Sequence, residues 1–212
     1  MSQNISSIAA EILLDLKCIN FSPKKQFKLT SGKKSPIYCD CRRIISFPKE
    51  REKLIELGIV KLKEQPNFNK ISNIAGGESA GIPFASFVAG SLKLPMTYIR
   101  KEKKKFGKNS QIEGIMEKKD SVLLVEDLMT DGGSKITFLE AINKLGAKIN
   151  GIFVIFNYGI VRNQFTFKKK KINVTFLTNW KFVLKAALKK KILSFEEVKI
   201  IENFLLKLGV KN

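Results

Sequence analysis

From Ile71 onward the chain repeats one local pattern: a short apolar run, a glycine-containing or polar turn, then an amphipathic stretch. ISNIA leads into GGESAG and the helical IPFASFVAGSL. PMTYIRK is the next strand, followed by the polar stretch Glu102–Gly114. VLLVED is a third strand, and Ser134–Leu145 a helix with Phe138, Ile142 and Leu145 on one face. GIFVIFNY is a fourth strand and KINVTFLT a fifth. Parallel strands need long crossovers, and helices supply them. The alternation therefore predicts an α/β fold, a mostly parallel sheet with helices on both faces.

The flanking segments fit around that unit. Ile5, Ile8, Ile12, Leu16 and Ile19 recur at three- and four-residue steps, which predicts an amphipathic N-terminal helix. The polar segment FKLTSGKKSPIYCDCRR follows, with short β-like pieces on either side of Ser31-Gly32. Pro48 opens a helix, where proline is tolerated in the first turn, and Ile55, Ile59 and Leu62 form its apolar face. Ser194-Phe-Glu-Glu197 reads as a capping box starting a last helix, with Val198, Ile201, Leu205 and Leu208 inward. Lys168–Lys171 reads as a solvated turn between two strands. With no internal repeat and no linker, the 212 residues form a single domain.

Composition then removes whole classes of chemistry. There is no histidine, so no imidazole base and no histidine-ligated metal applies. Proton transfer must use carboxylates, lysines, tyrosines or water. Lys and Arg number 39 against 19 Asp and Glu, a net charge of +20 that favours anionic partners, nucleic acid or phosphorylated metabolites, unless it is only a solvated lysine-rich surface. Cys18, Cys39 and Cys41 give an odd count, read as free thiols in the cytoplasm. The apolar runs are too short or too interrupted to span a bilayer, and MSQNISSIAAEILLDLK lacks the basic start of a secretory signal.

In an open parallel sheet, ligands bind beyond the carboxyl ends of the strands. Three polar features fall at such ends: GGESAG (76–81), RKEKKKFG (100–107) and EDLMTDGGS (126–134). In the third, Thr130-Asp-Gly-Gly-Ser134 lies between strand and helix. Its backbone N–H groups leave a helix N-terminus, glycines allow close approach, and Thr130 and Ser134 add hydroxyls, which makes a phosphate cradle. It is not a Walker A loop, since Lys135 follows Ser134. Glu126 and Asp127 stand where carboxylates can accept sugar hydroxyls while the cradle holds that sugar's phosphate. The plainer alternatives are a tight strand–helix turn with an acidic cap and, for RKEKKK, an exposed lysine run.

These residues carry a resemblance. VLLVEDLMTDGGSK resembles the phosphoribosyl pyrophosphate signature of type I phosphoribosyltransferases. FKLTSGKKSPIYCDCR resembles the N-terminal segment of the orotate phosphoribosyltransferases, NIAGGESAGIPFASFVA their pyrophosphate loop and the helix after it, and YIRKEKKKFGKNSQIEG their mobile catalytic loop. The four match in order and spacing from roughly Phe27 to Phe156, and together they are specific to the orotate enzymes. The resemblance implies the type I phosphoribosyltransferase fold, with a core over about 50–180, C-terminal helices over about 180–209, and a small hood subdomain from about residues 1–45.

The implied reaction moves ribose 5-phosphate from phosphoribosyl pyrophosphate to N1 of orotate, in the UMP pathway, with Mg²⁺ bound to the pyrophosphate and no direct protein ligand for the metal. Matched by position, Arg100, Lys101 and Lys104 are the loop's pyrophosphate-binding cations, joined by Gly76 and Gly77. Glu126, Asp127, Leu128, Met129, Thr130, Asp131, Gly132, Gly133 and Ser134 are the ribose-phosphate site. Lys104 and Asp127 are the catalytic candidates. Thr130, Tyr38 and Thr30 fall near orotate, although Tyr38 alone reads equally as a core aromatic. The working form implied is a homodimer sharing active sites, with no nucleic acid or membrane partner.

Three departures stand out: Phe106 replaces a loop histidine, Thr30 a substrate-contacting lysine, and NYGIVRN the usual Asp-Arg-x-x-Gly whose arginine recognises the orotate carboxylate. Arg162, Lys28 and backbone amides are open as replacements for that arginine. The rival readings are a phosphoribosyltransferase for purine or uracil, and a regulator of the same fold that holds nucleic acid. The first is not expected to carry SGKKSPIYCDCR or the RKEKKK loop. The second needs a basic helix face or recognition motif that this chain lacks.

Overall fold

The computed structural model describes residues 2–28, 32–102 and 110–210. The strands are β1 (Ile19–Phe21), β2 (Phe27–Lys28), β3 (Lys34–Ser35), β4 (Ile37–Cys39), β5 (Asn73–Gly77), β6 (Met96–Ile99), β7 (Ile112–Glu113), β8 (Ser121–Met129), β9 (Lys148–Asn157), β10 (Gln164–Phe167) and β11 (Lys170–Asn179). The helices are α1 (Ser2–Asp15), α2 (Pro48–Lys63), α3 (Gly81–Leu92), α4 (Gly133–Leu145), α5 (Trp180–Lys189) and α6 (Phe195–Lys207). A seven-stranded sheet runs β10-β11-β9-β8-β5-β6-β7, parallel from β11 to β6 and closed at each edge by an antiparallel strand. The expected α/β fold with helices on both faces is the one observed.

The alternation of side chains along each strand assigns the two faces. Ile74, Leu123, Val125, Phe153 and Leu177 face a core completed by α1, α2, α3, α5 and α6. Ala75, Val122, Leu124, Ile152 and Val154 face a second core under α4, with Phe165 and Phe167 of β10. Both faces are apolar, which is why the parallel strands read as continuous hydrophobic runs. No helix among the described residues is long and apolar enough to cross a membrane.

Several details differ from the sequence-based expectations. The inward stripe of α1 is Ile5, Ala9, Ala10, Leu13 and Leu14, with Ile8 and Ile12 half-buried and Ile19 already in β1. Alanines face inward because the helix lies directly on β11 and α5. In the N-terminal region, the β1–β4 and β2–β3 ribbons form two-stranded sheets separate from the main sheet. The lysine run is split: Lys168 and Lys169 form the β10–β11 turn with positive φ of 46° and 64°, while Lys170 and Lys171 belong to β11. Ser194 makes the capping box, and Leu208 ends α6 exposed.

Close packing fixes α2 on the sheet. A Cβ on Gly58 would lie 2.5 Å from Cζ of the fully buried Phe153. Gly58→Ala is therefore expected to destabilise the fold by about 1–2 kcal/mol, since overpacking outweighs the gain in helix propensity. Urea unfolding checks this, and unchanged stability would show that α2 can move outward freely.

Candidate active site

The strand order creates the crevice. β5 sends the chain through α3 to β6 on one side, whereas its neighbour β8 sends it through α4 to β9 on the other. The two connections leave on opposite faces, so a gap opens between the carboxyl ends of β5 and β8. In register, Gly76 lies opposite Val125, and the next residues of β8 run on beside β9 with Glu126 opposite Val154 and Met129 opposite Asn157. The buried strand thus does not stop at the acidic pair. It continues past the end of β5, and the crevice exposes its flank.

Glycines let the turn after β5 close against this flank. A Cβ on Gly77 would fall 1.8 Å from Glu126 Oε1, and one on Gly81 would fall 2.7 Å from the same atom. A Cβ on Gly76 would meet the Gly81 carbonyl and Ile82 Cα at 2.9 Å. Glu78 ties the turn to the end of β6: its N–H donates to the Ile99 carbonyl at 2.9 Å, and its Oε2 accepts the Lys101 N–H at 2.8 Å. Arg100 pairs with Glu113 at 3.7 Å and exchanges backbone and side-chain hydrogen bonds with Gln111. The base of the 100–107 segment is therefore anchored at the crevice. Lys104 and Phe106 lie outside the described residues, as does Thr30 in the N-terminal segment.

Glu126 and Asp127 are adjacent on a strand, so their side chains leave opposite faces. Glu126, 5% exposed, turns toward α4, where Lys135 Nζ donates to its Oε2 at 2.8 Å; Lys135 is equally buried. Glu126 Oε1 is buried with no hydrogen-bond partner among the described residues. Burial pushes the Glu126 carboxyl up to about 7, against the opposing charges of Lys135 and Lys101. Asp127 faces the N-terminal segment, within electrostatic reach of Arg42 and Cys41. Burial raises its carboxyl too, opposed by the Leu128 N–H, Lys135 and Arg42.

The cradle follows directly. Gly132 has φ of +85°, and a Cβ there would meet Met129 Cε and Phe165 Cε2 at 2.6 Å, so only glycine turns the chain into α4 at this point. Asp131 Oδ1 accepts the Gly133 N–H at 3.0 Å, which places a carboxylate on the positive end of α4. Thr130 and Ser134 are exposed at its rim, and Leu128 and Met129 are carried by β8 just before it. Tyr38 is 40% exposed beside Phe27, with ring centroids 6.1 Å apart, and so is not a core aromatic. Among the described residues, no group of three or more acidic, cysteine or histidine side chains is placed to hold a metal ion.

Lys135 was absent from the expected site. The sequence did carry a signal for it: Lys135, Phe138, Leu139 and Ile142 share helical spacing, and a lysine on an apolar stripe needs a buried partner.

A crevice at the switch point of a parallel sheet, an acidic pair on the strand beside it and a glycine cradle at the next helix define a phosphoribosyltransferase. The family model for the phosphoribosyl transferase domain matches residues 50–187, the span that carries all three. The chain is 42% identical over 202 residues to the orotate phosphoribosyltransferase of Dinoroseobacter shibae, covering 95% of this chain and 89% of that protein. It is 49% identical over 158 residues to that of Cereibacter sphaeroides, covering 74% and 68%. Its fold is similar to the orotate phosphoribosyltransferase of Aeropyrum pernix, with a TM-score of 0.69, 22% identity and coverage of 87% and 99%. It is also similar to Leishmania donovani UMP synthase, with a TM-score of 0.76 and 24% identity over 95% of this chain and 42% of that one. The chain belongs to the orotate phosphoribosyltransferase family of pentosyl-transferring enzymes.

The buried pair generates a prediction. The unfolded carboxyl of Glu126 titrates near 4.5 and the folded one near 7. Its stabilising contribution is then full below about pH 4.5 and is lost as pH rises through about 7. Lys135→Met removes the counter-charge, raises that carboxyl further and is expected to cost about 3 kcal/mol at pH 8, with a smaller loss at pH 5. Denaturant unfolding at both values checks it; a loss independent of pH would break the assignment.

Proposed function

We propose that this chain transfers ribose 5-phosphate from phosphoribosyl pyrophosphate to N1 of orotate, giving orotidine 5′-phosphate and pyrophosphate in pyrimidine (UMP) biosynthesis. One observation carries the reading: the glycine turn of β5, the acidic pair of β8, the cradle at α4 and the cationic base of the 100–107 segment surround one crevice. Names and identities of the relatives support the choice of orotate.

In this reading the 5-phosphate sits at the α4 N-terminus on the N–H groups of Gly132–Ser134 and the hydroxyls of Thr130 and Ser134, displacing the Asp131 carboxylate from its Gly133 contact. Glu126 and Asp127 accept hydrogen bonds from the ribose hydroxyls, and Asp127 also favours the positive charge that grows on the ribosyl carbon. The C1–O bond to pyrophosphate breaks as the C1–N1 bond to orotate forms, and the proton on orotate N1 is released to water. Arg100, Lys101 and Lys104 neutralise the departing pyrophosphate, beside the close backbone turn at Gly76 and Gly77. Tyr38, Thr30 and Thr130 flank the base. Mg²⁺, when bound, would be held by the pyrophosphate of the substrate rather than by side chains and would screen its charge.

The remaining parts of the reading concern assembly. The β1–β4 and β2–β3 ribbons act as the hood over the crevice. A homodimer lends loop cations across the subunit boundary, and the three free cysteines accord with a cytoplasmic setting.

Purified protein with Mg²⁺, phosphoribosyl pyrophosphate and orotate is expected to show loss of orotate absorbance and release of pyrophosphate, abolished by EDTA. Turnover of hypoxanthine or uracil with orotate inert would overturn the choice of base. Tight RNA binding at physiological salt without any transfer would overturn the enzyme reading. Lys104→Ala is expected to slow turnover by about 100-fold or more with little change in Tm. A parallel loss of stability and activity would remove Lys104 from the chemistry.

A further inference from the structure

The loop after β9, NYGIVRN, lacks the Asp-Arg-x-x-Gly pattern that implies an arginine for the orotate carboxylate, and the structure offers a replacement elsewhere. Arginine suits a planar carboxylate because its guanidinium donates two parallel N–H bonds. The chain's arginines are Arg42, Arg43, Arg51, Arg100 and Arg162. Arg43 Nε donates to the Leu16 carbonyl at 3.0 Å. Arg51 donates to the Ile45 carbonyl at 2.7 Å and stacks 4.3 Å over Phe87. Arg100 pairs with Glu113. Arg162 lines a cavity of about 500 Å³ whose far walls are Trp180, Leu184 and Leu188 of α5.

Arg42 is held differently. Asp40 caps the 3₁₀ turn Cys41–Ser46, accepting the Arg42 backbone N–H at 3.2 Å. Its carboxylate also grips the guanidinium from behind, Nε at 2.6 Å and Nη2 at 3.0 Å. That fixes the guanidinium plane, and Nη1 makes no hydrogen bond among the described residues. The turn is anchored by fully buried Cys41, by Ile44, and by the Asp40 N–H donating to the Cys18 carbonyl at 2.7 Å. It packs on β8. Arg42 lies within electrostatic reach of both Asp127 and Tyr38. Its side chain is 59% exposed, so it presents a preset cation at the acidic end of the crevice.

We propose that Arg42, oriented by Asp40, binds the carboxylate of the pyrimidine and so selects orotate over bases that lack one. The proposal rests on the orotate phosphoribosyltransferase reading. It also answers an electrostatic need: an anionic base must approach the ribosyl carbon past Asp127 and Glu126. A fixed cation on the approach side offsets that repulsion, with Tyr38 supplying an aromatic face beside it.

The test compares steady-state kinetics of the wild-type enzyme with Arg42→Gln, Arg42→Lys and Asp40→Asn. Arg42→Gln is expected to raise the orotate KM by about 100-fold while leaving the phosphoribosyl pyrophosphate KM within about threefold. The preference for orotate over uracil should fall with it. Arg42→Lys keeps charge but loses the fork and should recover only part of the loss. Asp40→Asn should raise the orotate KM by a smaller factor, as expected of a positioning residue. An unchanged orotate KM in Arg42→Gln, or equal rises in both KM values with a lowered Tm, overturns the proposal. Wild-type protein inert toward orotate would instead overturn the functional reading, and the proposal with it.

Discussion

The structure depends on how two adjacent carboxylates are tolerated inside a buried strand. An uncompensated buried charge is among the most costly features a core can hold, so each acid dictates its neighbourhood. Because they alternate across β8, one solution cannot serve both. Glu126 requires a cation from α4, which Lys135 supplies at 2.8 Å, and Asp127 is left to the N-terminal turn that carries Arg42. The pair therefore links the two helical layers to the same crevice. A well-packed hydrophobic pair would stabilise the fold about as well.

The glycines follow from the same constraint. Gly77 and Gly81 leave no room for a Cβ because Glu126 Oε1 already occupies that space. The turn after β5 can therefore lie directly on the carboxylate. This brings backbone N–H groups, a carboxylate oxygen without a hydrogen-bond partner among the described residues and the Lys101 backbone into one small region. Neither the acid nor the glycines would be explicable alone.

What could be read from the sequence was what is local. The strand–turn–helix repeat, the Ser194 capping box and the Thr130–Ser134 cradle each depend on residues close in the chain, and each is present. The edge strands β7 and β10 escaped because they are short and paired antiparallel, and β10 ends in a lysine-rich turn whose two positive φ values no asparagine or glycine advertised. The α1 stripe was rotated because alanine counts as core only once a helix lies close to its sheet. Lys135 stands in the first turn of α4, and its burial is decided by Glu126, nine residues earlier on a strand. Arg42 was hidden for a comparable reason: its relevance comes from the packing of a 3₁₀ turn on β8, not from any motif spacing.

The charge balance of the crevice completes the physical account. Lys135 comes from α4, Arg42 from the N-terminal turn and Lys101 from the base of the loop, so the acidic pair is countered from three separate segments. Each cation is near enough to hold a carboxylate's proton affinity down, yet burial still wins, with Glu126 lifted to about 7. The net charge of +20 makes the far field of the molecule positive. The three local cations surround the acidic pair, so the charge around β8 is set by its immediate neighbours rather than by the overall basicity.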